Sequence, residues 1–177
     1  MQTQIRAEQA QDAAAIEAVT IAAFLHAPHT DHTEQFVVRA LRAAGQLRLS
    51  LVAELGAGDA GAGATGGIVG HVAASPVQLS CGAAHWYGLG PLSVLPAFQK
   101  RGIGGQLMTA ALAQLRQLGA AGCVLLGDPA YYRRFGFQAE PSLVLPDVPP
   151  EYFQALVFSG AVPTATVSYH AAFTARD

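Results

Sequence analysis

Apolar and polar positions recur along the chain with two periods, and the switches between them mark out the elements. Thr3 to Arg6 has strand character. Asp12 then stands as N-cap to a helix through Phe24, on which Ile16, Val19, Thr20 and Phe24 recur at near-helical spacing. Thr33 to Ala44 predicts a second helix with Phe36, Val37, Ala40 and Leu41 as its buried stripe. Two strands follow, Leu49 to Glu54 and Ile68 to Gln78, on either side of Gly56 to Gly67, a tract built almost wholly of Gly and Ala. Such a tract has too few side chains to bury itself, so a flexible hairpin tip is expected, with its flanking strands antiparallel. The next strand, Ala84 to Val94, contains Gly88, Gly90 and Pro91, which predict a bulge or an exposed edge.

The pattern changes most sharply at the end of that strand. The apolar run Leu92-Ser93-Val94-Leu95 stops at Pro96, a turn rich in Gly and cations follows, and a helix runs from Gly104 to Leu118. Leu107, Met108, Ala111, Leu112 and Leu115 share one face of that helix, and Gly119 ends it. A strand, a loop and a helix N-terminus present unpaired backbone N–H groups at the positive end of a helix dipole, and glycines let an anion approach them. Lys100 and Arg101 stand at the mouth of this loop, where they can pair with phosphate oxygens. A phosphate-bearing ligand is therefore expected. It is not held by a dinucleotide fingerprint, because Leu107 occupies the third glycine position after Gly102 and Gly104, and the chain has no Walker A run. What remains is Q-x-x-G-x-G, met by Gln99, Gly102 and Gly104.

Downstream, Gly122 to Leu126 reads as a buried strand ending in Gly127-Asp128-Pro129. Asp128 as N-cap and Pro129 at the first helical position predict a short helix through Arg134 or Phe135. Tyr152 to Phe158 and Thr164 to Tyr169, separated by Gly160 and Pro163, read as the last strands.

The Q-x-x-G-x-G loop, between its strand and its helix, resembles the acetyl-coenzyme A signature of the GCN5-related N-acetyltransferases (GNAT). The run from Tyr131 to Phe137 resembles the aromatic-Tyr-x-x-x-Gly-Phe segment of the same family. Gly127 to Tyr132 with Arg134 to Phe137 is similar to the subgroup of predicted N-acetyltransferases around YhbS. The resemblance implies an α/β fold: a mixed, mostly antiparallel sheet of about six to seven strands, with flanking helices and a splayed central strand pair. It implies acetyl-CoA as co-substrate, with Leu92, Ser93 and Val94 beside the pantetheine arm and Gln99, Lys100, Arg101, Gly102, Ile103, Gly104 and Gly105 forming the cofactor loop. Tyr132 takes the position of the general acid. One departure stands out: many relatives carry an Asn seven residues before that tyrosine, and here the place is held by Leu125.

The residues suit such chemistry. Backbone N–H groups on a splayed strand, at Leu92 or Val94, can stabilise the oxyanion formed when an amine attacks a thioester. A thiol of reference pKa about 8.5 leaves more easily when a hydroxyl of reference pKa about 10 protonates it. No residue declares itself as the base, and His71, His85, Glu54 and Asp128 are all available to accept the amine's proton, directly or through water. Arg133 and Arg134 suit phosphate, although cations at a helix C-terminus need no ligand. A non-catalytic acyl-CoA-binding module would keep the loop without the tyrosine. His26, His29 and His32 with Asp31 admit a metal-site reading. A solvated loop before the second helix accounts for them more simply, because metal sites also need preorganised ligands and a second shell. The resemblance adds a third account, the rim of the substrate pocket.

Composition narrows the setting. A chain of 177 residues with 51% hydrophobic positions suits one domain, 1–177, with a real core. The net charge of −2 offers no broad basic surface, so no nucleic-acid partner is expected. Cys81 and Cys123 form neither a disulfide framework nor a zinc spacing, which points to a reducing cytoplasm. No leader precedes the first strand, and every apolar run is broken before about 18 residues, so no membrane span is expected. The acceptor is expected to be a small-molecule or protein amine, and assembly as a homodimer is left open.

Overall fold

The computed structural model describes residues 2–56 and 67–177, so most of the Gly/Ala tract expected as a hairpin tip lies outside the described residues. β1 (Thr3–Ala7) leads through a 3-10 turn into α1 (Ala13–Phe24), and α2 (Glu34–Ala43), β2 (Leu49–Leu55) and β3 (Ile68–Pro76) follow. After β4 (Gln78–Leu79) come β5 (Trp86–Val94), α3 (Ile103–Gln117), β6 (Gly122–Leu126) and α4 (Pro129–Tyr132). The chain closes with β7 (Gln138–Ala139), β8 (Leu143–Val144), β9 (Phe153–Val157) and β10 (Ala165–Ser168).

Among the described residues, one seven-stranded sheet has the order β1-β2-β3-β5-β6-β9-β7, and every neighbouring pair is antiparallel except β5 with β6. This is the mixed, mostly antiparallel α/β sheet that the resemblance implies. α1 and α3 both pack on β3 and β5. Their apolar faces, Ile16 and Val19 from α1 and Leu107, Met108, Ala111 and Leu115 from α3, join Leu51, Val69 and Val72 in the main core. A smaller sheet, β4-β10-β8, covers a second core of Val77, Trp86, Val124, Phe153 and Val167. α2 buries Val37 and Leu41 against Ala172 of the C-terminal 3-10 turn. No helix of the described residues is long and apolar enough to cross a membrane.

Two expectations are corrected. Ile68 to Gln78 is not one strand, because Pro76 has no N–H with which to continue the ladder. The chain turns there, Val77 N–H donates to the Trp86 carbonyl at 3.1 Å, and β4 joins the smaller sheet. Asp12 does not cap α1 with its side chain. Its buried carboxylate instead accepts from the Arg6 guanidinium at 2.6 and 3.2 Å and from Gln9 N–H at 2.8 Å. These hydrogen bonds, those from Arg6 first, hold the Asp12 carboxyl below the usual range against its own burial. His26, His29 and His32 are exposed, Asp31 pairs with Arg176 at 3.3 Å, and no three His, Cys, Asp or Glu groups among the described residues come together as a metal set.

Candidate active site

β5 has two edges with different fates. Its β3 edge is paired from Tyr87 to Val94, with an irregularity in register between Val72 and Ala74. Its β6 edge is paired only where Trp86, Tyr87 and Gly88 meet Gly122, Cys123 and Val124. Beyond Gly88 the two strands have no pairing among the described residues, so the sheet opens into a V between Leu89–Val94 and the end of β6. Unpaired strand edges leave backbone donors and acceptors for a ligand. Leu92 and Val94 are half-buried along this stretch, whereas Ser93 is fully buried and its Oγ has no hydrogen-bond partner in the protein.

The loop that follows is tied to the strand. A 3-10 turn, Pro96–Phe98, buries Phe98, and the Gln99 side chain donates from Nε2 to the Val94 carbonyl at 3.0 Å. Gln99 thus closes the loop on β5 with its own amide. Lys100 (φ 60°) and Gly102 (φ 83°) both turn through the left-handed region, and Gly102 is the N-cap of α3. With no side-chain cap, the first amides of α3 remain available to an anion. Apart from chain neighbours and the helix's own backbone, a Cβ placed on Gly102 or Gly105 would meet nothing within 4 Å, so the space over the helix start is open. Ile103 is buried and offers this space only its backbone, while Lys100 and Arg101 are exposed at the mouth and the Arg101 guanidinium lies 5.5 Å from the Phe98 ring centre.

The aromatic segment arrives from the other arm of the V. Asp128 accepts from Ala130 N–H at 2.9 Å and starts α4 with Pro129 at its first position, as the sequence predicts. A 3-10 turn, Arg133–Phe135, continues it to Gly136. The Tyr131 hydroxyl lies over α3, 2.7 Å from where a Cβ on Gly104 would stand, and the Arg134 guanidinium stacks at 4.0 Å on the Tyr131 ring. Tyr132 meets Tyr131 edge-on at 4.8 Å between ring centres and Phe137 at 6.1 Å. Burial, and secondarily Tyr131, pushes the Tyr132 hydroxyl up to about 12. It therefore stays protonated throughout the neutral range.

Four side chains were available as bases, and the structure gives three of them other tasks. Asp128 caps α4, Glu54 pairs with Arg6 at 2.7 Å, and His71 is fully buried with Nε2 2.8 Å from Ser50 Oγ. His85 is exposed at the start of β5. Sequence reasoning passed over Gln154, a buried amide on β9 that donates to the Gly127 carbonyl at 3.0 Å. A lone glutamine inside the apolar run from Tyr152 to Phe158 was the available signal.

The chain has relatives with the same architecture. The acetyltransferase (GNAT) domain family matches residues 48–139. An uncharacterized N-acetyltransferase, YhbS of Escherichia coli K12, is 37% identical over 123 residues, 70% of this chain and 69% of that protein. A GNAT family acetyltransferase from Brucella melitensis, solved in complex with acetyl-CoA, is 49% identical with a TM-score of 0.82, covering 97% of this chain and 98% of that one. The structure of Escherichia coli YhbS in complex with CoA is 31% identical with a TM-score of 0.83, covering 98% of this chain and 92% of that one. With its open β5–β6 pair, uncapped α3 and Tyr131–Tyr132 segment, the chain belongs to the GNAT family of acetyltransferases.

Proposed function

We propose that this protein moves the acetyl group of acetyl-CoA to a primary amine of a small molecule or a protein, with residues 1–177 working as one domain. The observation that carries the reading is the contact of the aromatic segment with the start of α3, where the Tyr131 hydroxyl lies over Gly104. The cofactor loop and the candidate acid thereby stand at one site. The single-domain reading is supported by the C-terminal elements: β9 lies inside the main sheet, and the turn Ala171–Thr174 packs on α2. Acetyl-CoA and CoA bound to the Brucella and Escherichia relatives support the choice of co-substrate.

The residues present fit that co-substrate. The open space over Gly102 and Gly105, at an uncapped helix N-terminus, suits phosphate, with Lys100 and Arg101 adding charge. Leu92 and Val94, on either side of Ser93, whose own backbone pairs with His71 of β3, offer backbone groups on the unpaired edge of β5 to the pantetheine arm. Among them, Leu92 or Val94 N–H is placed to take the negative charge that develops on the acyl oxygen. Acetyl-CoA supplies the activated acyl group. As the amine nitrogen bonds to the acyl carbon and the carbon–sulfur bond breaks, Tyr132 gives its proton to the departing sulfur, the nitrogen releases a proton to water, and water returns one to Tyr132. A non-catalytic acyl-CoA-binding module would have no use for that hydroxyl. Two unpaired cysteines, Cys81 and Cys123, support work in the reducing cytoplasm.

The reading is tested by titrating acetyl-CoA into the protein by calorimetry, then screening a panel of amines for thiol release. Binding with turnover on at least one amine is expected. Absence of acetyl-CoA binding would overturn it.

A further inference from the structure

β9 reads Phe-Gln-Ala-Leu-Val, and Gln154 is its one polar residue, only 1% exposed. A primary amide is costly to bury unless its donors and acceptor are matched. Here a single hydrogen bond is made, from Nε2 to the Gly127 carbonyl at 3.0 Å, and Oε1 has no partner in the protein. Leucine at this place, opposite Leu125 in register, would serve the core better. That one hydrogen bond is all the amide makes within the protein.

It holds Gly127, and Gly127 is the surface on which Tyr132 rests. A Cβ there would stand 2.3 Å from Tyr132 Cε2 and 2.9 Å from Cδ2. The other backbone group of Gly127, its N–H, donates to the Tyr152 carbonyl at 3.0 Å, so the region of β9 grips this peptide on both sides. The next residue, Asp128, carries α4: its carboxylate takes Ala130 N–H, and its carbonyl takes Tyr131 and Tyr132 N–H at 3.0 and 3.1 Å. Restraint passes from Gln154 to Gly127, and from there both through the ring contact and through the start of α4 to Tyr132.

We propose that Gln154 is a positioning residue for Tyr132: by fixing the Gly127 carbonyl it fixes the platform under the Tyr132 ring and with it the aim of the hydroxyl. This rests on the assignment of Tyr132 as proton donor. Gln154 touches neither substrate nor co-substrate in this account.

The test is a double-mutant cycle of Gln154→Met, close in shape but without the amide, against Tyr132→Phe. Thiol-release kcat, acetyl-CoA affinity by calorimetry and Tm are read for all four proteins, with Gln154→Leu made alongside as a second replacement. Expected is a folded Gln154→Met with unchanged acetyl-CoA affinity and a kcat lower by about 10- to 100-fold, the scale of a small misplacement of a reacting group. In the Tyr132→Phe background the same change should cost less than about 2-fold, because no proton is left to aim. Full multiplication of the two losses, an unchanged kcat, a parallel loss of acetyl-CoA affinity, or failure of both Gln154 variants to fold each overturns the inference and leaves Tyr132 standing. Wild-type turnover in Tyr132→Phe alone overturns the Tyr132 assignment itself.

Discussion

The Tyr131 hydroxyl occupies the place where any side chain at Gly104 would begin, 2.7 Å from the position of its Cβ. Glycine is needed here because of space, not conformation: Gly104 is not among the glycines with positive φ. Tyr131 cannot swing away freely, since Arg134 stacks on one side of it and Tyr132 meets it on another. Gly104→Ala should therefore push Tyr131 off α3 at a cost of about 1–3 kcal/mol, as overpacking does, and weaken acetyl-CoA about 10-fold or more. Adding Tyr131→Phe removes the clashing oxygen and should restore most of the affinity. Calorimetry on the single and double variants decides it, and a double variant no better than Gly104→Ala alone would refute the contact's role.

Gly102 fails by a different route. Its φ of 83° is the left-handed region, where a side chain costs about 1–2 kcal/mol, yet apart from its chain neighbours nothing stands near its Cβ position. Gly102→Val should lower Tm by roughly 2–8 °C through backbone strain and lose acetyl-CoA binding through crowding of the anion's approach. Gly102→Asn separates the two effects, because Asn tolerates this conformation better but still carries a side chain. Its Tm should stay closer to wild type while its affinity falls; an Asn variant that binds normally would show that close approach at this position is not needed.

The segments that build the site were the easiest to read, for reasons their residues make plain. α3 shows its period in Leu107, Met108, Ala111, Leu112 and Leu115, and its start is punctuated by glycine, so local pattern alone defines strand, loop and helix. The Asp128-Pro129 start of α4 is equally local. What escaped depends on distant partners. β4, β7 and β8 are two residues each, too short to alternate, and exist only because another strand pairs with them. The smaller sheet was invisible for that reason. So was Gln154, whose meaning lies in facing Leu125 and holding Gly127. Asp12 misled because a carboxylate before a helix is usually a cap, and nothing nearby announced that Arg6 would claim it.

His71 makes stability depend on pH. Ser50 Oγ donates its one proton to the Glu8 carboxylate, which leaves it to accept from Nε2–H of the imidazole, while Nδ1 has no hydrogen-bond partner in the protein. Burial lowers its pKa from 6.5 to about 4, with Glu8 opposing and Arg42 assisting. Between those values the unfolded chain carries a proton on this residue that the folded chain refuses. Unfolding free energy should thus be level above about pH 6.5 and fall as pH drops toward 4, by on the order of 3 kcal/mol. Glu8, held below its ordinary value by Arg42 and Ser50 against its own burial, adds a loss only at the acid end. Urea melts of wild type and His71→Gln between pH 5 and 7.5 would show it: the variant is weaker at pH 7.5 but flat across the window. Parallel slopes in the two proteins would sink the assignment to His71.

Tyr132→Phe tests the chemical step. The ring rests on Gly127 and against Phe137 and Tyr131, and phenylalanine keeps all three contacts, so Tm and acetyl-CoA affinity should survive. Only the proton that the proposed acid would donate is removed. General acids contribute about 10²- to 10⁴-fold, and kcat for thiol release should fall in that range when chemistry limits the rate. Tyr131→Phe is the control, because its hydroxyl faces Gly104 and is given no proton to donate; most of its activity should remain. The pH profile supplies an independent check. An acid works while protonated, and burial has moved the loss of the Tyr132 proton upward from 10 to about 12. Wild-type kcat should therefore show no alkaline fall owed to Tyr132 up to about pH 10.5, and the Tyr132→Phe profile should have the same shape at a lower level. An alkaline limb in the wild type that vanishes in Tyr132→Phe would mean that the hydroxyl ionises in the working range. A Tyr131→Phe variant more damaged than Tyr132→Phe would move the acid one residue back, to the hydroxyl over α3.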